Sequence, residues 1–188
     1  MKKTIGFALT GSFCTLKKTF ELMETLKDTY TLIPIVSENV AKTDTRFFSK
    51  EEVLDRLEEI CGRPPLRSLT EVEPIGPKRM LDLLVICPCT GNTLSKMALG
   101  ITDTAVTMAA KSHRRSGGSV LIALSTNDAL SGSAKSLGLL ADKKGVYFVP
   151  LRQDAPEEKP SSLCCDLSLL PRAIDSALQG TQLQPVFL

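Results

Sequence analysis

Several short segments of this chain hold the residue types that bind or transform a small polar molecule. The first is Thr10-Gly11-Ser12-Phe13-Cys14-Thr15, where an apolar run gives way to a helical pattern. A glycine, hydroxyls and unpaired backbone N–H groups at a helix start are the parts of an anion site. Gly11 and Ser12 are its candidate binding residues, although the same residues also suit a plain turn with an N-cap hydroxyl. The segment is neither a G-x-G-x-x-G fingerprint nor a Walker A loop. A second segment begins at Ser37 and contains Arg46, whose guanidinium can grip a carboxylate or phosphate bidentately. A third, Cys87-Pro88-Cys89-Thr90-Gly91-Asn92-Thr93, leaves an apolar run and enters a helical one. Here Pro88 is expected to stiffen a turn and Gly91 to let backbone approach a ligand. Thr90 and Asn92 offer neutral hydrogen bonds that suit the carbonyl and imide edges of a flat heterocycle, and the segment also reads as a helix cap. In the last, Ser125–Ser133, Asn127 is a candidate substrate contact and Asp128 a candidate base, with the N-cap of the following helix as the alternative role of Asp128.

Other reactive side chains form no such pattern. The six cysteines include the close pairs Cys87/Cys89 and Cys164/Cys165, but neither spacing joins another to make a zinc site. Buried, unreactive thiols are the expectation for most of them. The one histidine, His113, is followed by Arg114 and Arg115 near a helix end, where cations suit the helix dipole, and is read as structural.

The elements that must position these segments are legible in the apolar pattern. Thr4–Leu9 reads as a buried strand, and Leu16, Phe20, Met23 and Leu26 follow at helical spacing. Thr31–Val36 is a second strand, placed at a sheet edge or bulge by Pro34. Ser49 with Glu52 predicts a capping box, and Val53, Leu54, Leu57 and Ile60 predict the inward face of the helix it opens, which Gly62 closes. Leu81–Ile86 reads as a central strand covered on both faces. Asp103 is expected to cap a helix carrying Val106, Ala109 and Ala110 inward. Val120–Leu124 and Val146–Val149 are further strands, with a helix marked by Leu130, Ala134, Leu137 and Leu140 between them. Asp154–Ser162 is a polar loop long enough to serve as a lid. Leu170, Ile174, Ala177 and Leu178 mark a last helix, with Pro171 in its first turn.

Strand followed by helix, repeated along the chain, predicts a three-layer α/β fold of the flavodoxin or Rossmann type, with a parallel sheet of about five or six strands. Ligands in such sheets bind at the carboxyl ends of the strands, where all the segments above fall. With no repeat or linker, residues 1–188 read as one domain. A net charge of +2, sparse aromatics and no Trp give no reason to expect nucleic acid as a partner. No apolar run approaches the roughly 20 residues that span a bilayer, so no membrane partner is expected and the chain is expected to be cytoplasmic.

The run from Pro88 to Ala98, then Gly100-Ile101-Thr102-Asp103 and Ala109-Ala110, resembles the signature of the flavin-dependent cysteine decarboxylase superfamily. That group includes phosphopantothenoylcysteine decarboxylase and the flavin prenyltransferases. A closer resemblance, along nearly the whole chain, is to the family of dipicolinate synthase B subunits. It is carried by Ile5–Ser12, Thr45-Arg46-Phe47, Glu73–Lys78, Cys87–Lys96, Met108–Lys111, Ser125–Leu130 and Gln182–Pro185.

This resemblance implies a fold of the kind derived above and assembly into a homo-oligomer, a trimer or a dodecamer. It implies a partner, the dipicolinate synthase A subunit, that carries the nicotinamide cofactor, NADP or NAD. Together the two proteins would make dipicolinate from a dihydrodipicolinate-type intermediate in the mother cell of a sporulating bacterium. FMN is the implied cofactor of this chain, with Gly11, Ser12 and Ser37 at the phosphate and Thr90, Gly91 and Asn92 near the ring. Arg46 and Asn127 then fall to the dicarboxylate substrate. Flavin prenyltransferases carry an arginine–glutamate–x–proline motif where this chain has Ser125-Thr126-Asn127-Asp128, and an arginine where it has Met108. The donors left for an FMN phosphate are therefore amides, hydroxyls and Arg46. An independent decarboxylase or prenyltransferase, and a non-catalytic scaffold for the nicotinamide-binding partner, stand as alternatives.

Overall fold

The computed structural model describes residues 2–188, so Met1, the first residue of the domain as read, lies outside the described part. The chain opens with β1 (Thr4–Leu9), a 3-10 turn over Phe13–Thr15, and α1 (Leu16–Leu26). In α1 the residues at helical spacing, Leu16, Phe20, Met23 and Leu26, are all buried. β2 (Thr31–Val36) follows, then α2 (Glu38–Lys42) and α3 (Lys50–Cys61). The expected capping box is present: Glu52 N–H donates to Ser49 Oγ at 3.2 Å, and Ser49 N–H to Glu52 Oε2 at 2.7 Å. Gly62 ends α3 at φ 66°, in the left-handed region that glycine enters without a Cβ penalty.

α4 (Leu69–Val72) leads into β3 (Leu83–Cys89). β3 runs on through Cys87-Pro88-Cys89, so these residues belong to the strand and the loop proper starts at Thr90. α5 (Gly91–Leu99) and α6 (Ala105–Arg115) come next. Thr104, not Asp103, is the N-cap of α6, sharing a capping box with Thr107. Asp103 pairs with Lys96 at 2.8 Å instead. β4 (Ser119–Thr126) precedes α7 (Ala134–Ala141), and Leu130, expected on that helix, sits exposed in the turn before it. β5 (Val146–Phe148), β6 (Leu151–Arg152), β7 (Leu163–Cys165) and α8 (Leu170–Leu178) complete the chain, with Pro171 in the first turn of α8.

The parallel strands stand in the order β2-β1-β3-β4, with β5 beside the first half of β4. This is the 2-1-3-4-5 order of flavodoxin-type sheets, whose switch point lies between β1 and β3. β2 is an edge strand, as Pro34 requires. Two short strands extend the sheet to seven: β7 runs antiparallel to Ser125 and Thr126 at the tail of β4, and β6 pairs with β7. α1 and α8 pack on the central strands, with α3 beside α1, while α4 and α5 pack on α6 and α7 packs on α5. The outer side of β5 is closed by Gln182, which accepts from Phe148 N–H at 2.8 Å and donates to Phe148 O at 2.7 Å. One amide side chain thereby imitates a neighbouring strand.

His113 is turned inward rather than presented as a cation at the end of α6. It is 3% exposed, its Nε2 has no partner, and its ring fills the space that a Cβ on Gly118 would need. Arg114 serves the helix end, donating to Gly118 O at 2.9 Å and Gly145 O at 3.2 Å. Burial lowers the His113 pKa from its ordinary 6.5, with the Arg114 charge acting in the same direction and Asp82 opposing. Below pH 6.5 the unfolded chain takes up a proton that the folded ring resists. Stability is therefore full above 6.5 and falls as the pH drops toward the lowered value. Urea unfolding of wild type between pH 8 and 5 will show this loss, and His113→Gln will flatten it. An unchanged slope in the variant would assign the acid sensitivity to carboxylates instead.

Candidate functional site

A cleft of about 450 Å³ opens at the carboxyl ends of β1, β3 and β4, beside the β1/β3 switch point. That size lies in the range of small-molecule and cofactor sites, roughly 300–1,000 Å³. Residues from every predicted loop line it: Gly11 and Ser12, Arg46, Thr90, and Asn127. Asp154, Lys159 and Ser162 add a wall from the loop between β6 and β7.

The local folding of each wall is readable. Thr10 ties β1 to β3: its N–H and its Oγ1 both donate to Pro88 O, at 3.2 and 2.8 Å, and Thr90 N–H donates back to Oγ1 at 2.9 Å. Thr90 is the N-cap of α5, accepting from Thr93 N–H at 3.3 Å. Ser12, Thr15 and Ser125 form a hydroxyl triangle: Ser12 to Ser125 is 3.0 Å, Thr15 to Ser125 3.4 Å and Ser12 to Thr15 3.3 Å. The first-turn N–H groups of Phe13 and Cys14 have no acceptor within the helix that begins there. Ser12 and Ser125 line the cleft with Phe13 and Cys14, and Thr15 stands outside the lining; hydroxyls and orphan amides of this kind have the chemistry to accept an anion. Sequence alone does not single out Ser125 or Thr15. A serine at a strand end carries no local signal, and only the β4–β7 pairing fixes it here.

Arg46 is exposed, and its guanidinium lies 4.8 Å from the centroid of the Phe47 ring. It lines the cleft and makes no ion pair or side-chain hydrogen bond among the described residues, so its donors are unengaged. Asp154 accepts from Ser162 Oγ at 2.9 Å and pairs with Lys159 at 3.2 Å. Those two neighbours, Ser162 first, hold its carboxyl below the ordinary range.

The remaining candidates sit elsewhere. Ser37 is buried as the N-cap of α2, its N–H donating to Leu9 O and its Oγ accepting from Val40 N–H. Asn92 is exposed in the first turn of α5, outside the lining. Gly91 is a glycine because protein crowds it. A Cβ there would lie 2.6 Å from Asp128 Oδ1, 2.7 Å from Ser133 Oγ and 2.7 Å from Thr126 Oγ1. Asp128 does not cap α7, whose N-cap is Ser133. Its carboxylate accepts from Thr126 Oγ1 at 2.6 Å and Ser133 Oγ at 3.0 Å, organising the turn that presents Asn127. With both oxygens engaged and no place in the lining, Asp128 reads as a turn residue rather than a base.

Cys14 is exposed and lines the cleft, whereas the buried cysteines offer little nucleophilic power. Burial pushes the Cys87 thiol up to about 12 and raises those of Cys89 and Cys165 as well. Cys164, in the cleft wall, is also raised, by burial and then by Asp154. Among the described residues no histidine, cysteine or carboxylate cluster could hold a metal ion, and no helix is long and apolar enough to cross a membrane.

A family model described as Flavoprotein matches residues 1–166. The B subunit of dipicolinate synthase from Bacillus subtilis (strain 168) is 41% identical over 187 residues, 99% of this chain and 94% of that protein. The crystal structure of the dipicolinate synthase B subunit from Bacillus halodurans C matches with a TM-score of 0.90 at 40% identity, covering 100% of this chain and 98% of that one. The FMN-dependent cysteine decarboxylase SpaF matches with a TM-score of 0.70 at 17% identity, over 93% of this chain and 97% of that one, a likeness of fold alone.

Proposed function

Because the chain belongs to the flavoprotein family, and within it to the family of dipicolinate synthase B subunits, we propose that it works with a nicotinamide-dependent A subunit. The pair would make dipicolinate from a dihydrodipicolinate-type intermediate in the cytoplasm of a sporulating mother cell. One observation carries this reading. The loops of β1, β3 and β4 converge on a single cleft that has hydroxyls at one end and Arg46 on its wall. A ring bearing carboxylates needs those features: a flat polar slot and cationic grips.

The donor set also fits FMN. Ser12 and Ser125, the latter held by Thr15, with the amides after Gly11 would take the phosphate, and Thr90 and Asn127 would border the ring. When bound, FMN supplies a two-electron acceptor of the kind that aromatising a dihydro ring requires. The chain's own part is to hold the anionic ends and exclude water. Assembly into a homo-oligomer, a trimer or a dodecamer, would cover exposed apolar side chains such as Leu99 and Ile101, 69% and 43% accessible.

The prenyltransferase alternative is disfavoured because the end of β4 and the turn after it offer Ser125, Thr126, Asn127 and Asp128, a hydroxyl-rich segment with no arginine. The scaffold alternative is separated by experiment. Purified chain is titrated with FMN by fluorescence, alone and with its nicotinamide-binding partner, and the reconstituted pair is assayed for dipicolinate. Stoichiometric FMN binding, and turnover that falls at least about tenfold in Arg46→Ala while the complex stays intact, is the expected result. Full turnover in Arg46→Ala would make the chain a scaffold.

A further inference from the structure

Arg46 and Lys159 reach the cleft from different walls, one after α2 and the other between β6 and β7. They are held differently. Arg46 has no ion-pair partner among the described residues, whereas Lys159 Nζ lies 3.2 Å from Asp154 Oδ2. Asp154 is the one carboxylate of the lining, so the Asp154–Lys159 pair is neutral and Arg46 supplies the uncompensated charge. A dianion entering the cleft meets one grip ready and another masked.

The loop does not need the Lys159 ammonium for its shape. Gln153 Nε2 donates to Pro160 O at 2.9 Å, Leu130 N–H to Ser161 O at 3.0 Å, and Ser162 N–H to Lys159 O at 3.0 Å. The backbone is pinned while the ammonium-bearing side chain stays 50% exposed. An ion pair this exposed is worth about 0–1 kcal/mol, so an arriving carboxylate displaces Asp154 at little cost. Asp154 would then keep its Ser162 hydrogen bond and its contact with water.

We propose that Lys159 is the second carboxylate grip of the cleft, held on Asp154 until a dianionic ring ligand displaces it. Lys159 and Asp154 thereby set a preference for dicarboxylates over monocarboxylates. The inference rests on the proposed function and adds to it the residue that recognises the second charge.

Calorimetric titration of the full chain, without and with saturating FMN, tests it, using pyridine-2,6-dicarboxylate and pyridine-2-carboxylate as probes. Wild type is expected to prefer the dicarboxylate by about tenfold or more, and Lys159→Gln to erase most of that preference while leaving the monocarboxylate unchanged. Asp154→Asn should tighten the dicarboxylate severalfold, and that gain should vanish in the Lys159→Gln background. An intact preference in Lys159→Gln overturns the grip. A gain from Asp154→Asn that persists without Lys159 means simple charge repulsion and overturns the masking. Failure of wild type to bind either acid in either state overturns the proposed function itself. That failure appears before any substitution is made, which keeps the two distinguishable.

Discussion

Gly76→Ala will lower the stability of the folded chain by about 3 kcal/mol, at the upper end of what overpacking costs. A Cβ on Gly76 would stand 2.0 Å from the backbone oxygen of Ser112 and 2.7 Å from its carbonyl carbon. Backbone cannot turn aside as a side chain does, so the segment before β3 must pull away from α6. In doing so it loses the bond from Gly76 N–H to Ser112 Oγ, 2.9 Å long, and strains the one from Ser112 Oγ to Glu73 O, 2.6 Å long. Each such bond contributes roughly 0.5–1.5 kcal/mol. For a domain of this size the melting temperature should fall by roughly 6–12 °C. Gly11→Ala is the contrast, since its nearest neighbours would be 3.6–3.8 Å away, ordinary contact, and little stability should be lost. Urea denaturation of both variants decides the matter. A Gly76→Ala chain as stable as wild type would mean that the segment holding Glu73-Pro74-Ile75-Gly76-Pro77-Lys78 is not seated on α6 as described. The stretch is conspicuous in sequence, yet its geometry assigns it to packing: Ser112 lies in the last turn of α6, away from the cleft.

The same contrast explains what could be read from the sequence. β1, α1, β2 and α3 were legible because their signals are local: apolar periodicity, a proline at an edge, a serine and glutamate three residues apart. The loops at the strand ends were legible because a parallel sheet gathers them at one edge whatever their sequence. Hence Gly11, Ser12, Arg46, Thr90 and Asn127 do meet around one cleft. What could not be read depended on neighbours distant in the chain. β6 and β7 are two and three residues long and exist only by pairing with each other and with the tail of β4. Gly91 looks like a ligand-facing glycine until Asp128 and Thr126 are placed against it. Asp128 looks like an N-cap because the apolar residues after it mimic helical spacing, but the chain makes a hydrogen-bonded turn first. Lys159, in a polar loop with two prolines, carries the same local pattern as any solvated lysine.

Ser125→Asp will weaken FMN binding severely if the hydroxyl triangle is the phosphate end of the cleft. The substitution replaces a neutral donor, 3.0 Å from Ser12 Oγ and 3.4 Å from Thr15 Oγ1, with a carboxylate. Like charges about 4 Å apart repel by about 4 kcal/mol at the effective dielectric of a protein surface, close to a thousandfold in affinity. Screening in the open cleft reduces this, so a loss of at least about 100-fold is expected, partly recovered at high salt. Ser125→Asn is the control for size: it adds the same bulk without charge and keeps a donor, so it should weaken FMN by about tenfold or less, the scale of one ordinary hydrogen bond. Because Ser125 is only half-buried, both variants should fold, and a thermal melt confirms it. Equal losses in the two variants would make crowding the cause. Undiminished binding in Ser125→Asp would leave the triangle a joint between the first loop and the β4–β7 ladder, and the flavin phosphate would have to be met by Arg46 on the cleft wall instead.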